Sequence, residues 1–214
     1  MEILVFLGSV RNSIPPRPAR LGARVSAACC RLLTERGHTP HLIDPLDFDT
    51  GGEFKPHFSY AKGKAPGDLE ELAKLIDAAD AFVMVSPEYN HSMSPALAHL
   101  LNHFGASLFA WKVSAIFTYS AGQWGGARAA VNMRTFLSEI GCLPVSAMVH
   151  IPKAQEVLDE NGLWINEGER WDGYVGRAIS QLEWWGEAAR HQRSGGDVNK
   201  TEAFQKDPSQ RNAP

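Results

Sequence analysis

The segment Gly8, Ser9, Val10, Arg11, Asn12, Ser13 combines a flexible turn, hydroxyl donors and a guanidinium. Those are the needs of a phosphate, because backbone amides at a helix N-terminus and an arginine fork together hold a dianionic oxygen cluster. A tight strand-to-helix turn would ask only for Gly8 and Ser9, so this segment alone leaves both readings open. It is not a Walker loop, since no Gly-Lys-Ser/Thr follows at the required spacing, and it is not the dinucleotide Gly-x-Gly-x-x-Gly turn. ATP and Rossmann-type NAD binding both lose ground.

Two further segments carry polar chemistry. Pro87, Glu88, Tyr89, Asn90, His91, Ser92 is a polar stretch with one aromatic, and Tyr119, Ser120, Ala121, Gly122, Gln123, Trp124, Gly125, Gly126 is rich in glycine, which exposes amides at little steric cost. His99 and His103 lie four apart and could offer two imidazoles to a metal, but the Glu of the zinc-protease motif is missing between them. They are expected as interface or helix-surface histidines. Trp164, Trp171, Trp184 and Trp185 are expected in core and subunit contacts. His57, Phe58 and Tyr60 stand equally for a lid and for a packed surface loop.

The elements that must position these segments alternate. Glu2 to Leu7 is a short apolar run, the mark of a strand buried on both faces, and Leu21 to Arg36 carries apolar residues at helical spacing with Gly37 as its stop. A second strand is predicted at His41 to Ile43, followed by a long loop over Asp44 to Pro66. A helix is predicted at Asp68 to Ala79 and a third strand at Ala81 to Val85. Pro95 suits the first turn of a helix running to about Phe104, where its missing donor costs nothing. Strands at Val113 to Thr118 and Pro144 to Val149 flank a helix at Ala127 to Ile140, and a helix at Asp172 to Arg190 closes the pattern. Five strands alternating with helices predict a doubly wound α/β fold with a parallel sheet, because each parallel return needs a helix-length connection. In a flavodoxin-like topology the ends of strands one, three and four face one crevice, so the three polar segments form one site.

With those residues in place the chain resembles the NADPH-dependent FMN reductases, a family that includes quinone, azo-dye and chromate reductases. The resemblance spans roughly residues 1 to 185, and its carriers are Gly8, Ser9, Val10, Arg11 and Pro87, Glu88, Tyr89, Asn90, Ser92, Pro95. It implies a flavodoxin-like sheet of order 2-1-3-4-5, bound FMN, and NADPH or NADH as co-substrate. The first loop would bind the FMN phosphate through Ser9, Arg11 and Ser13. The second, Pro87, Glu88, Tyr89 and Asn90, would pack on the isoalloxazine and ribityl, largely through backbone groups. The third, Ser120, Ala121, Gly122 and Gln123, would hydrogen-bond the pyrimidine edge. Asn12 to Ala19, with three prolines, separates the first loop from Arg20, so either Arg17 or Arg20 is the candidate for a second phosphate contact. Hydride would pass from NAD(P)H through FMN to an acceptor such as a quinone, free flavin, azo dye or metal oxyanion. The absence of a persuasive Ser-His-Asp or Cys-His constellation agrees with chemistry carried by the cofactor.

The chain has 214 residues and a net charge of −3, which suits one domain without a basic field for nucleic acid or anionic lipid. Residues 1–190 are expected as the FMN-binding domain, with 191–214 a polar tail, disordered or packed on a neighbouring subunit. The apolar N-terminus is too short for a signal core or a span, and the three cysteines read as core thiols of a reducing compartment, so a cytoplasmic location is expected. Leu97, Leu100, Leu101, Phe104, Phe109 and Trp111 suggest an apolar excess and hence a homodimer or homotetramer. Arg17, Arg20 and Arg24 cluster near the first loop, which favours NADPH over NADH if one guanidinium is left for the 2′-phosphate. The competing classes are a flavodoxin-type electron carrier and a flavin-free interaction domain of the same fold. The mild charge weighs against the first, and the lack of acids after strand one weighs against a receiver-type version of the second.

Overall fold

In the computed structural model, which describes residues 1–11 and 20–195, five parallel strands form the sheet. They are β1 (Glu2–Leu7), β2 (Thr39–Ile43), β3 (Ala81–Tyr89), β5 (Val113–Tyr119) and β6 (Leu143–Ile151). Their order is β2-β1-β3-β5-β6, and a sixth, two-residue strand β4 (Ser92–Met93) pairs antiparallel with the end of β3. The parallel order is the expected one; β4 is the difference. It arises because β3 runs four residues past Val85 and reverses through Asn90 and His91, both at positive φ. Asparagine and histidine are among the residues that tolerate that region, and a two-residue turn with both residues there matches the strand twist.

The side-chain period of two divides the core. On β1, Ile3 and Val5 face α1 (Leu21–Glu35) and the last helix α7 (Gly168–Ser194), while Leu4 and Phe6 face α2 (Gly67–Ala78), α3 (Pro95–Asn102) and α5 (Ala127–Glu139). Both faces are buried, which is why the strands read as continuous apolar runs rather than alternating ones. Short helices α4 (Ala106–Phe109) and α6 (Ala154–Val157) complete the chain order.

Local signals behave as chemistry requires. Gly37 follows α1 at φ 81°, and its amide donates to the Thr34 carbonyl at 2.9 Å. Ser94 caps α3 by accepting from the Ala96 amide at 3.2 Å, with Pro95 in the first turn. The exposed edge of β6 is closed by α7, since the Ala147 amide donates to Gln181 Oε1 and the His150 amide to Tyr174 Oη. Helix α7 starts at Gly168 and continues to Ser194, so residues 191–194 are helical rather than tail. Residues 196–214 lie outside the described part of the chain. Cys29 and Cys142 are buried thiols, as expected, while Cys30 is only half-buried.

The expected apolar excess around α3 is absorbed within the chain. Leu97, Leu100, Leu101, Phe104 and Phe109 are all at most 2% exposed, and only Trp111, at 49%, stands clear. The sheet face beneath them is wide enough to bury all five. Trp184 and Trp185 are exposed instead of lying in the core. No helix among the described residues is long and apolar enough to cross a membrane.

Candidate functional site

The carboxyl ends of β1, β3 and β5 adjoin, and the three polar segments follow from them. Gly8 ends β1, with its amide on the Val85 carbonyl at 2.7 Å. A Cβ there would lie 2.6 Å from that same oxygen and 3.0 Å from Leu97 Cβ, so only glycine allows β1, β3 and α3 to close together. Ser9, 7% exposed, accepts the Arg11 amide at 3.3 Å in a tight turn, and Arg11 is exposed above it. Ser13 and Arg17 lie outside the described residues.

Arg20 stands at the start of α1 and forms a two-pronged ion pair with Asp44, its second nitrogen donating at 2.9 Å. The pair is nearly buried, at 13% and 16% side-chain exposure. Both terminal nitrogens of Arg20 are therefore directed at Asp44, and its Nε has no partner among the described residues. Arg24, the other arginine of this cluster, is buried and donates to the Leu158 carbonyl at 2.7 Å, with Glu160 beyond it.

The second segment is the hairpin β3–β4. Tyr89 and Asn90 are exposed at its tip, while Pro87 is half-buried. Glu88 turns away from the tip and binds the first turn of α5, accepting from the Arg128 amide at 3.1 Å and Arg128 Nε at 2.6 Å. Burial pushes its carboxyl up, but the Arg128 hydrogen bond and the Ala129 amide outweigh this and leave it below the ordinary glutamate value. The carboxylate thus ties the hairpin to the helix that follows the third segment, and its backbone is what remains for a ligand.

The third segment is anchored from below. The Ser120 hydroxyl donates to the Gly122 carbonyl and accepts the Gly125 amide, and the Lys153 amide donates to the Gly122 carbonyl at 2.9 Å. Ala121, Gly122 and Gln123 are exposed, and their amides make no hydrogen bond among the described residues. A Cβ at Gly122 would meet nothing within 4 Å, so open space lies over these donors.

Tyr119, named from the sequence as the start of the third segment, was given no role there. It ends β5, is 4% exposed, and its phenol faces Ser9, Arg20 and Tyr89. Burial pushes the phenol far above its ordinary value, so it stays protonated. A Cβ at Gly22 would lie 2.4 Å from its oxygen, which makes Gly22 the vacancy that admits it. The signal available in the sequence was a tyrosine at the last position of a buried strand.

The remaining candidates lie elsewhere. His57, Phe58 and Tyr60 line a separate cavity of about 450 Å³ with Glu70, Lys74 and Leu108. His103 is fully buried rather than a surface histidine, its Nε2 3.3 Å from that of His99, because Phe54 of the long loop covers both rings. Trp164 and Trp171 stack with centroids 5.6 Å apart.

A buried hydroxyl in a tight turn, an exposed arginine above it and a row of amides under open space fit the phosphate and the pyrimidine edge of FMN. The sequence profile of the NADPH-dependent FMN reductases matches residues 1–156. An NAD(P)H-dependent FMN reductase of Pseudomonas aeruginosa is 31% identical over 130 residues, 59% of this chain and 69% of that protein. An NADPH azoreductase of a Bacillus species is 36% identical over 105 residues, and the match spans about half of each chain, 48% and 54%. Among solved structures, the flavoenzyme NAD(P)H:(acceptor) oxidoreductase FerB of Paracoccus denitrificans aligns with a TM-score of 0.68 at 20% identity, covering 87% of this chain and 97% of its own.

Proposed function

This chain belongs to the NADPH-dependent FMN reductase family, and from that premise we propose how its own residues hold the flavin and which molecules it serves. It is an NAD(P)H-dependent flavin oxidoreductase. When bound, FMN would supply the hydride-transfer chemistry between the pyridine nucleotide and an acceptor.

Ser9 and Arg11 hold the FMN phosphate, with the Tyr119 phenol facing Ser9. What supports this reading is that Ser9 and Arg11 follow β1 while the free amides of Ala121 to Gln123 follow β5, at the same ends of the two strands that flank β3. Pro87, Glu88, Tyr89 and Asn90 flank the ring system, with the Glu88 carboxylate spent on α5 and its backbone left for the flavin. The amides of the third segment supply fixed dipoles where the reduced ring carries negative charge, at no cost of reorganisation. Arg20, with both terminal nitrogens on Asp44, offers the phosphate no free fork.

The acceptors are small molecules, in the class of quinones, azo compounds and free flavin. NADPH is the preferred donor. The chain works as a homodimer or homotetramer, supported by the exposed Trp184 and Trp185, at 72% and 47% exposure. A light-scattering mass of one chain at micromolar concentration refutes that assembly.

The test of the flavin site is a titration of apoprotein with FMN. Arg11→Ala weakens binding by about 1.5 to 3 kcal/mol, the range for a charge-assisted hydrogen bond. Unchanged affinity in that variant overturns the assignment.

A further inference from the structure

Beside the third segment, at the carboxyl end of β6, His150, Pro152, Arg170, Trp171 and Tyr174 enclose a cavity of about 280 Å³. Its aromatic walls are held in place. Trp171 stacks on Trp164, whose Nε1 donates to Asp172 at 2.7 Å, and meets Tyr174 edge-on with centroids 5.9 Å apart. Tyr174 is itself fixed by the His150 amide at 3.0 Å. Such walls need little ordering when a ring enters.

The polar lining is sparse and specific. Thr118 Oγ1 lies 2.8 Å from His150 Nδ1, which engages one edge of the imidazole and leaves Nε2 on the far edge, a donor or an acceptor according to the tautomer. Burial lowers the pKa of this histidine, which keeps it neutral. Arg170 stands at the rim, and its pair with Glu167 is exposed on both sides, at 75% and 58%. Exposed pairs are weak enough to exchange for a phosphate. An aromatic slot with one imidazole nitrogen and a peripheral guanidinium suits a planar nitrogen heterocycle with a phosphate tether.

We infer that this cavity seats the adenine ring of the pyridine nucleotide, stacked on Trp171 with its polar edge on His150 Nε2 and its phosphates toward Arg170. The inference rests on the donor reading above. An electron acceptor has to touch the flavin ring to be reduced, whereas the donor is two-ended, with adenine carried far from the reacting nicotinamide. The third segment borders the cavity, since a Cβ at Gly125 would lie 3.1 Å from His150 Cβ. The cavity is thus next to the loop proposed to hold the pyrimidine edge of the flavin. The placement also replaces the expected role of Arg24, which is buried, and of Arg20, which is held by Asp44.

The experiment uses the FMN-loaded protein and adenosine 2′,5′-bisphosphate, a redox-inert copy of the adenosine end, followed by tryptophan fluorescence and calorimetry. Arg170→Ala and Trp171→Ala each weaken its binding by about tenfold, the equivalent of about 1.4 kcal/mol, with flavin content at the wild-type level. Wild type takes NADPH and its hypoxanthine analogue, which carries a carbonyl in place of the amine, at different KM, and His150→Phe erases that difference. Arg170 is exposed, so its variant folds even where Trp171→Ala does not. Bisphosphate binding that is absent in wild type, or equal in wild type and Arg170→Ala, overturns the inference. A wild-type protein that binds no FMN overturns the functional reading instead, and flavin absorbance tells the two apart.

Discussion

The phenol of Tyr119 faces Ser9 beside the β1–α1 turn, and it fits there because Gly22, on the first turn of α1, has no side chain. Strand β5 thereby packs against a loop that belongs to β1. Tyr119→Phe removes the phenolic oxygen while keeping the ring, and costs about 1 kcal/mol of folding stability. FMN affinity falls in the same variant because the turn that carries Ser9 loses that polar neighbour. Unaltered FMN affinity in Tyr119→Phe shows that the phenol is structural only. Gly22→Ala forces a clash at 2.4 Å with the phenolic oxygen and at 2.6 Å with Leu7 Cδ1, and costs about 1 to 3 kcal/mol. Part of that loss returns in the Gly22→Ala, Tyr119→Phe double variant, which chemical denaturation measures.

The Arg20–Asp44 pair makes a second double variant informative. Arg20→Ala leaves a nearly buried carboxylate unpaired, so it destabilises more than Arg20→Ala in an Asp44→Ala background, by about 1 kcal/mol or more. Asp44→Ala alone frees the guanidinium and tightens FMN binding. Looser binding in Asp44→Ala instead assigns the pair a purely architectural role.

Glu88 has a pH signature. Its folded pKa lies below that of the unfolded chain, so its contribution to stability is present above the unfolded value and is lost as pH falls through the folded value. The wild type therefore loses more stability than Glu88→Gln between neutral pH and the acid range below 4.5. Parallel denaturation midpoints for the two proteins across that interval contradict the prediction.

Lys112 acts with the same sign in the alkaline range. Its Nζ donates to the Ile76 and Asp77 carbonyls at the end of α2, at 2.5 and 2.7 Å, and burial lowers its pKa to about 8 against the pull of Asp77. Between about 8 and the unfolded value of 10.5 the unfolded chain binds more protons, so stability rises with pH across that window. The full interval corresponds to about 3 kcal/mol. Lys112→Met flattens the rise, which urea denaturation between pH 7.5 and 10 measures directly.

Much of this protein was legible in the order of its residues. Five apolar runs spaced by helical patterns dictate a parallel doubly wound sheet, since both faces must be covered and each return needs a helix. Gly8, Pro95 and Gly37 mark turns and helix ends through backbone constraints that act over a few residues, so local reading places them well. The segments at the ends of β1, β3 and β5 follow from topology alone.

What only the tertiary structure decides is which side chains are free. Arg20, Arg24 and Glu88 read alike as charged residues near a site, yet Asp44, the Leu158 carbonyl and the α5 N-terminus claim them from distant parts of the chain. His103 reads as a surface residue until Phe54, from a loop 49 residues earlier, closes over it. Tyr119 reads as the last residue of a strand, and its partner Ser9 lies 110 residues away. Hydrogen bonds and ion pairs of this kind depend on distances set by the whole fold, which sequence spacing does not encode, whereas helix periods, caps and turns depend on neighbours along the chain.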